Sequence, residues 1–380
     1  GVKTGIVADE CDFQAHRNTI VINPQLSSVA RTVGIETTLP TRCSILNNVI
    51  DDASIGIHLY YGSVAFDISR NTITTDFEDE GSKGILVNVW KSPNLLMDRN
   101  TITLDSQVRS DGIKLMFTGL MEVSNNTIRI FNDNSDGESN TGISMEEFHT
   151  SEVSRNHILG SLIDMLTDNA GLRMNVTGIN NLFCNDVMGY NQDFLISAMN
   201  PGNLLTANVF DDSDVGLQLN TPTFLGKQEH LGNRWEGQYA SAFGAFISGS
   251  NELQTALNSQ FFTDTTDAAS GILLPDYGPL NIVGDWFKPQ TGSTLTCEPP
   301  PPSPAPIATD LADLLVTDMG YDDFEEEMIW LSKAHIFKQI LDHSSLLSNA
   351  VLDSFFNAEE STAFGMILAL ENQLHQSSYS

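Results

Sequence analysis

Arg17-Asn18-Thr19-Ile20, Arg70-Asn71-Thr72-Ile73 and Arg99-Asn100-Thr101-Ile102 are one tetrapeptide written three times. Its variants are Asn47-Asn48-Val49-Ile50, Asn125-Asn126-Thr127-Ile128, Arg155-Asn156-His157-Ile158, Asn180-Asn181-Leu182-Phe183, Ala207-Asn208-Val209-Phe210 and Gly232-Asn233-Arg234-Trp235. The second residues, Asn18, Asn48, Asn71, Asn100, Asn126, Asn156, Asn181, Asn208 and Asn233, are 23 to 30 residues apart. That spacing describes a unit of fixed core and elastic loops. Self-similarity at such a period marks a solenoid, in which each repeat buries its apolar face only by stacking on its neighbours.

Aligned on the asparagine, the repeats show apolar columns. Two residues after it stand Ile20, Ile50, Ile73, Ile102, Ile128, Ile158, Phe183, Phe210 and Trp235; three before it stand Ala15, Ile45, Ile68, Met97, Val123 and Val153. Mostly polar residues lie between, which is the alternation of strands. A second strand opens on a glycine in Gly34-Ile35-Glu36, Gly56-Ile57-His58, Gly84-Ile85-Leu86, Gly112-Ile113-Lys114, Gly142-Ile143-Ser144, Gly171-Leu172-Arg173 and Gly216-Leu217-Gln218. Glycine there suits a tight bend before the strand. Two short strands per repeat, with no helix between them, exclude leucine-rich repeats and propeller blades. The sequence therefore predicts an all-β right-handed parallel β-helix of about nine coils, on the order of 43 Å long at ~4.8 Å per coil. The recurring asparagines are expected to form a ladder, each amide bonding to the next coil.

The predicted organisation is a β-helix over 1–240, a cap over 241–298, a Pro-rich linker over 299–306 and an α-helical segment over 307–380. A solenoid end exposes open backbone that must be covered, and the stretch containing Trp286, Phe287 and Cys297 is the natural cover. Pro299 to Pro306 reads as a polyproline II spacer. Beyond it the period becomes helical, in four helices: one after Thr309, Asp322 to about His343, Ser345 to Phe356, and Glu359 to Leu374. Trp330, Phe337, Phe355 and Phe356 are the expected anchors by which this segment docks or self-associates.

With 18 basic and 49 acidic side chains the formal charge is −31. That disfavours a nucleic-acid binder, which needs a basic face, and attachment to an anionic membrane surface. No apolar stretch approaches the ~20 residues of a membrane span. The chain opens inside ordered-looking sequence at Gly1 and reads as a piece of a longer protein.

Chemistry is sparser. Cys43 falls in an apolar column with Phe13, Phe66 and Leu95, and Cys11 shares its parity; both read as core thiols, with a Cys11–Cys43 bridge as the alternative. Cys184 follows an inward Phe183 and should point outward, so Cys184–Cys297 is the preferred disulfide, suited to an oxidising setting. The eight histidines are scattered, and His149 after Glu146 and Glu147 reads as a surface residue. The row two residues after each glycine carries Glu36, His58, Leu86, Lys114, Ser144 and Arg173; the row four after carries Thr38, Tyr60, Asn88, Met116, Glu146 and Asn175. Both point outward, so His58, Tyr60, Lys114, Glu146 and Arg173 are the candidate ligand-binding residues; in an enzyme, Lys114, Glu146 and Arg173 would carry catalysis. The sequence calls for no cofactor and no metal. Asp133 and Asp136, in a Gly-containing loop, and the pairs Asp51-Asp52 and Asp211-Asp212 are the places to look for Ca²⁺, but neither EF-hand nor Gly-Gly-x-Gly-x-Asp spacing is met, and turn chemistry explains them equally well.

Over residues 10–240 these coils resemble the right-handed β-helices of pectate-lyase-like and periplasmic NosD-like proteins. Asn-Asn-Leu-Phe-Cys (180–184), Gly-Asn-Arg-Trp-Glu-Gly (232–237), Asp-Trp-Phe (285–287), Cys297 with its proline run, and Trp330-Leu-Ser-Lys follow in an order similar to that of large surface proteins exported by type IX secretion. The resemblance implies an extracellular or cell-surface location; the repeat architecture, the lack of a convergent catalytic set, the acidic surface and the appended helices point to a non-enzymatic structural or adhesive module offering an extended face to a glycan or protein. Its enzymatic alternative is a polysaccharide lyase or glycoside hydrolase; no catalytic cluster of that superfamily maps onto this chain residue by residue.

Overall fold

The computed structural model describes residues 4–264 apart from 11, 23–31, 41, 61–65, 78–80, 89–91, 107–108, 117–118, 132–138, 147–148, 162–168, 177–179, 199–201, 230–231, 238, 240–242 and 250–251; it also describes 286–290, 297, 333, 337, 340–341 and 344–377. The chain divides into two compact units, Gly1–Cys297 and Glu298–Ser380.

The first unit is the parallel β-helix. Three sheets run along it: a first of ten strands, from Thr4–Asp9 to Phe243–Ser248; a second of eight, from Asp12–His16 to Leu204–Thr206; and a third of nine, from Thr19–Val21 to Arg234–Glu236. Each coil therefore carries three strands rather than the two read from the sequence. The segment taken as one strand around each asparagine is two, from the second and third sheets, with the asparagine at the bend between them. The described pairings are parallel, with one register shift, between Ser92 and Leu95 on the second sheet: Ile20, Ile50, Ile73, Ile102, Ile128 and Ile158 stack as predicted, and Ala15, Ile45, Ile68, Met97, Val123 and Val153 form a second interior column. Cys43 is buried in the column of Phe13, Phe66 and Leu95; Cys11 lies outside the described residues.

The bend has a fixed chemistry. The residue before each ladder asparagine is left-handed: Arg17, Asn47, Arg70, Arg99, Asn125, Arg155, Cys184, Ala207 and Gly232 have φ between 52° and 61°. A non-glycine residue there costs roughly 1–2 kcal/mol. The ladder fixes the conformation. Asn100, for example, donates from its backbone N–H (2.9 Å) and from Nδ2 (2.9 Å) to Asn126 Oδ1, and from Nδ2 to Ile68 O (2.8 Å). Its own Oδ1 accepts from the N–H and Nδ2 of Asn71. The pattern runs through Asn18, Asn48, Asn71, Asn100, Asn126, Asn156, Asn208 and Asn233, but the rung between Asn156 and Asn208 is Asn185, not Asn181. Asn181 lies in the strand Asn180–Phe183, paired with Glu152 and Leu204, on the outward side. Val187, not Phe183, continues the interior column.

The glycines also differ from their reading. They sit within the first-sheet strands and serve close packing rather than a bend. A Cβ on Gly112 would come 2.4 Å from Ile128 Cγ2 and 2.5 Å from Gly142 O, and Gly56, Gly84 and Gly142 meet the same obstruction.

Past the third sheet, the strand Phe243–Ser248 still pairs onto the first sheet, so the β-helix continues beyond residue 240. A helix, α1 (Glu252–Asn258), follows, then a parallel pair of strands, Phe261–Asp264 and Phe287–Gln290. Rings of Phe194, Phe210, Trp235, Phe287 and Trp286 continue the interior in steps of 4.9 to 5.7 Å between centroids. Cys184 and Cys297 are disulfide-bonded with Cα atoms 5.5 Å apart. The pairing is the one expected, for a different local reason: Phe183 packs outside the core with Cys184 and Ala207, and Cys184 occupies the left-handed bend.

In the second unit the predicted linker, the helix after Thr309 and Trp330 lie outside the described residues. Ser344–Ser348 is a 3₁₀ turn, and Asn349 caps α2 (Ala350–Glu359) by accepting from the N–H groups of Val351 and Leu352; α3 spans Ala363–Ser377. Phe337 packs on Phe355, Phe356 and Phe364 with ring centroids 4.9 to 6.4 Å apart. These aromatics pack within the unit, Phe337 fully buried and Phe355, Phe356 and Phe364 partly so. No described helix is long and apolar enough to cross a membrane.

Candidate functional site

The outer face of the first sheet carries three rows in register. Glu36, His58, Leu86, Lys114, Ser144 and Arg173 form one; Thr38, Tyr60, Asn88, Met116, Glu146 and Asn175 form another. Strand parity predicts both rows. The third row, of the residues before the glycines, is Val33, Ile55, Lys83, Asp111, Thr141, Ala170 and Gln192. Parity does not reveal this row, because a glycine taken as a bend removes its predecessor from the strand.

Lys114, Ser144 and Arg173 are neighbours in three successive coils, and Lys114 Nζ donates to Glu146 Oε1 at 2.8 Å. His58 and Tyr60 lie two coils away, roughly 10 Å at the strand spacing, with Leu86 between them and Lys114. His58 Nδ1 is 3.4 Å from Glu36 Oε1, and its ring is 5.6 Å from that of Tyr60. The five predicted residues thus form two groups on one face. The face is not openly solvated either: His58, Leu86 and Ser144 are buried, whereas Tyr60 is 37% exposed.

Asp111 is the centre of the larger group. Its side chain is 1% exposed, and Arg109 Nε stands 3.8 Å from Oδ2. Both carboxylate oxygens lack a hydrogen-bond donor, and Thr141 Oγ1 and Ser144 Oγ, equally buried, lack partners too. Burial pushes the Asp111 carboxyl above the usual carboxylate range against the opposing pull of Arg109, Lys114 and Lys83. A buried polar atom without a partner is costly and calls for an explanation. Here a carboxyl and two hydroxyls lie buried beneath the half-buried Lys114–Glu146 ion pair, out of direct reach of a ligand on that face.

A second buried carboxyl lies elsewhere. Asp193 holds the position that glycine takes in neighbouring coils, accepts from Ser213 Oγ at 2.9 Å, and is raised well above the ordinary range by burial. Tyr190 and Tyr239 beside it are also raised by burial. Asp52 and Asp212 take left-handed turn conformations (φ 59° and 44°), which accounts for the two Asp pairs as turn residues. Asp133 and Asp136 lie outside the described residues, as does the side chain of His149.

The family described as periplasmic copper-binding protein (NosD) matches residues 11–249. The chain belongs to the NosD family. No curated protein and no solved structure matches it. Copper is bound by clustered imidazole, thiolate or thioether donors. In this NosD-family chain His16 bonds Ser44 on the second sheet, His58 faces Glu36 on the first, and His157 bonds Asp186 on the third. Met97, Met145 and Met174 are in the apolar core, and Cys184 and Cys297 are joined to each other. Among the described residues no three His, Cys, Asp or Glu gather to hold a metal. These donors do not fit a copper centre.

Proposed function

We propose that the protein is a non-enzymatic, extracytoplasmic binding module that offers the outer face of the first sheet to a glycan or to a protein surface. The carrying observation is the accessible part of that face, where exposed Tyr60 and Asn175 stand in register with half-buried Lys114, Glu146 and Arg173. A NosD-type solenoid supplies an extended face for such contact, and the family's periplasmic description and the disulfide both favour a compartment outside the cytoplasm. In this reading the β-helix is an adhesive segment of a large cell-surface protein of the type IX cargo kind, and its acidity keeps it dispersed.

The alternative is a polysaccharide lyase or glycoside hydrolase using Lys114, Glu146 and Arg173. What favours it is a raised carboxyl, Asp111, among cations, since perturbed groups cluster at catalytic sites. Incubation with acidic and neutral polysaccharides, with and without Ca²⁺, separates the two. Retention of a polysaccharide without unsaturated products or new reducing ends is expected. Turnover that disappears in Lys114→Ala or Glu146→Ala would overturn the binding reading.

A further inference from the structure

The left-handed bend beside the asparagine ladder carries a feature that the fold does not require. Four of the chain's ten arginines, Arg17, Arg70, Arg99 and Arg155, occupy that one position in different coils, and all four are exposed. The backbone there prefers glycine or asparagine, and the chain uses Asn47, Asn125 and Gly232 at the same position. Arginine is thus held against local preference, in a protein where acidic side chains outnumber basic ones by 49 to 18.

Because the coils stack in register, the arginines form a ridge along the solenoid, with gaps of two coils, one coil and two coils, roughly 10, 5 and 10 Å at ~4.8 Å per coil. Arg99 Nη1 is 3.4 Å from Oδ2 of half-buried Asp98, with the guanidinium itself exposed, and Arg155 lies over the Phe183 ring at 5.4 Å. On the third-sheet side, the next outward residues in the coils of Arg17, Arg70, Arg99 and Arg155 are Thr19, Thr72, Thr101 and His157, with Val49 and Thr127 in the intervening coils. The line of guanidinium groups therefore borders a row that is mostly threonine, ending at His157, which is paired with Asp186.

We propose that this ridge is a second binding surface, separate from the first-sheet face, and that its ligand is an extended acidic polysaccharide lying along the solenoid axis. Arginine forks match carboxylate and sulfate groups, and the threonine row offers hydroxyl contacts to the sugar rings. Duplex nucleic acid fits worse, since it brings a charge every ~1.7 Å of its axis to a chain of net charge −31. Long-range repulsion between that net charge and the polyanion is screened within ~8 Å at physiological salt, so contact pairs at the ridge survive where the distant field does not.

Polygalacturonate, heparin, neutral dextran and single-stranded DNA are titrated into the full chain at 150 mM salt, and into Arg70→Asn/Arg99→Asn. The acidic glycans are expected to bind and dextran not to. The double variant is expected to lose at least about tenfold in affinity, the worth of ~1.4 kcal/mol, while its melting temperature stays level or rises, asparagine being the fold's own residue at this bend. Asp98→Asn, which releases Arg99, is expected to bind more tightly. Failure of both acidic glycans to bind, equal binding of dextran, unaltered affinity in the double variant, or tighter binding of single-stranded DNA than of either glycan would each overturn the proposal.

Discussion

Asn185 and Asn181 sit four residues apart, and the structure assigns them opposite importance. Asn185 Nδ2 donates to Val153 O at 2.7 Å and to Asn208 Oδ1 at 3.0 Å, while its Oδ1 accepts from the N–H of Asn156 at 3.2 Å and from Asn156 Nδ2 at 2.9 Å. Asn185→Ala leaves the Asn156 N–H, one Asn156 amide hydrogen and the Val153 carbonyl buried without those partners. At about 1–3 kcal/mol for each unsatisfied group, and with some relaxation, the loss is roughly 3–6 kcal/mol. Asn181 is half-buried, and its Oδ1 has no hydrogen-bond partner, so Asn181→Ala is expected to cost under about 1 kcal/mol. Urea unfolding followed by far-ultraviolet circular dichroism, with the disulfide intact, measures both. Equal losses, or the larger loss at Asn181, would refute the ladder register.

Other perturbations follow the same logic. Gly112→Ala places a Cβ 2.5 Å from a backbone carbonyl oxygen, and is expected to lower stability by about 3 kcal/mol or more; a melting temperature within a degree of wild type would contradict it. Non-reducing peptide mapping is expected to recover Cys184 joined to Cys297, and free thiols at both positions would contradict that pairing. Asp193 has a folded-state pKa raised by burial, so the folded state holds its proton more tightly than the unfolded chain. Its contribution is fully present below the unfolded carboxyl value of ~3.9 and declines as pH rises from there towards the folded value. Asp193→Asn, which can still accept from Ser213, is expected to raise the melting temperature at pH 7 but not at pH 3.5; a lower melting temperature at pH 7 would contradict the assignment.

Much of this molecule is legible from two apolar columns and one polar one. Ile20 through Ile158 and Ala15 through Val153 announce their stacking because a parallel solenoid forces each residue onto its equivalent one coil away. The misreading at Asn181 has a local cause: Asn180-Asn181-Leu182-Phe183 imitates Asn47-Asn48-Val49-Ile50, and loop lengths vary too much for spacing to arbitrate. Asn185-Asp186-Val187 carries the same pattern with a smaller apolar residue. A second ladder escaped notice because it changes residue type: Thr32 and Ser54 bond each other, and further along Ser110 and Asn140 donate their N–H groups to Asn140 and Asn169. Strand parity found Lys114, Glu146 and Arg173. It missed Asp111, whose outward position depends on how Gly112 sits against Ile128. Nor could parity tell that His58 and Ser144 are buried, since alternation distinguishes the faces of a sheet but not what lies over them.

On this reading the first-sheet face binds a ligand and does not transform it. Tyr60 tests it most directly, because at 37% exposure it can be removed with little cost to the fold and it borders His58 on that face. Equilibrium titration of the best-retained polysaccharide into wild type and Tyr60→Ala, with products monitored in the same samples, is the measurement. Tyr60→Ala is expected to lose at least about fivefold in affinity, on the scale of ~1 kcal/mol for an aromatic contact, with unchanged melting temperature and no product from either protein. Undiminished affinity, or product accumulating with wild type, would contradict it.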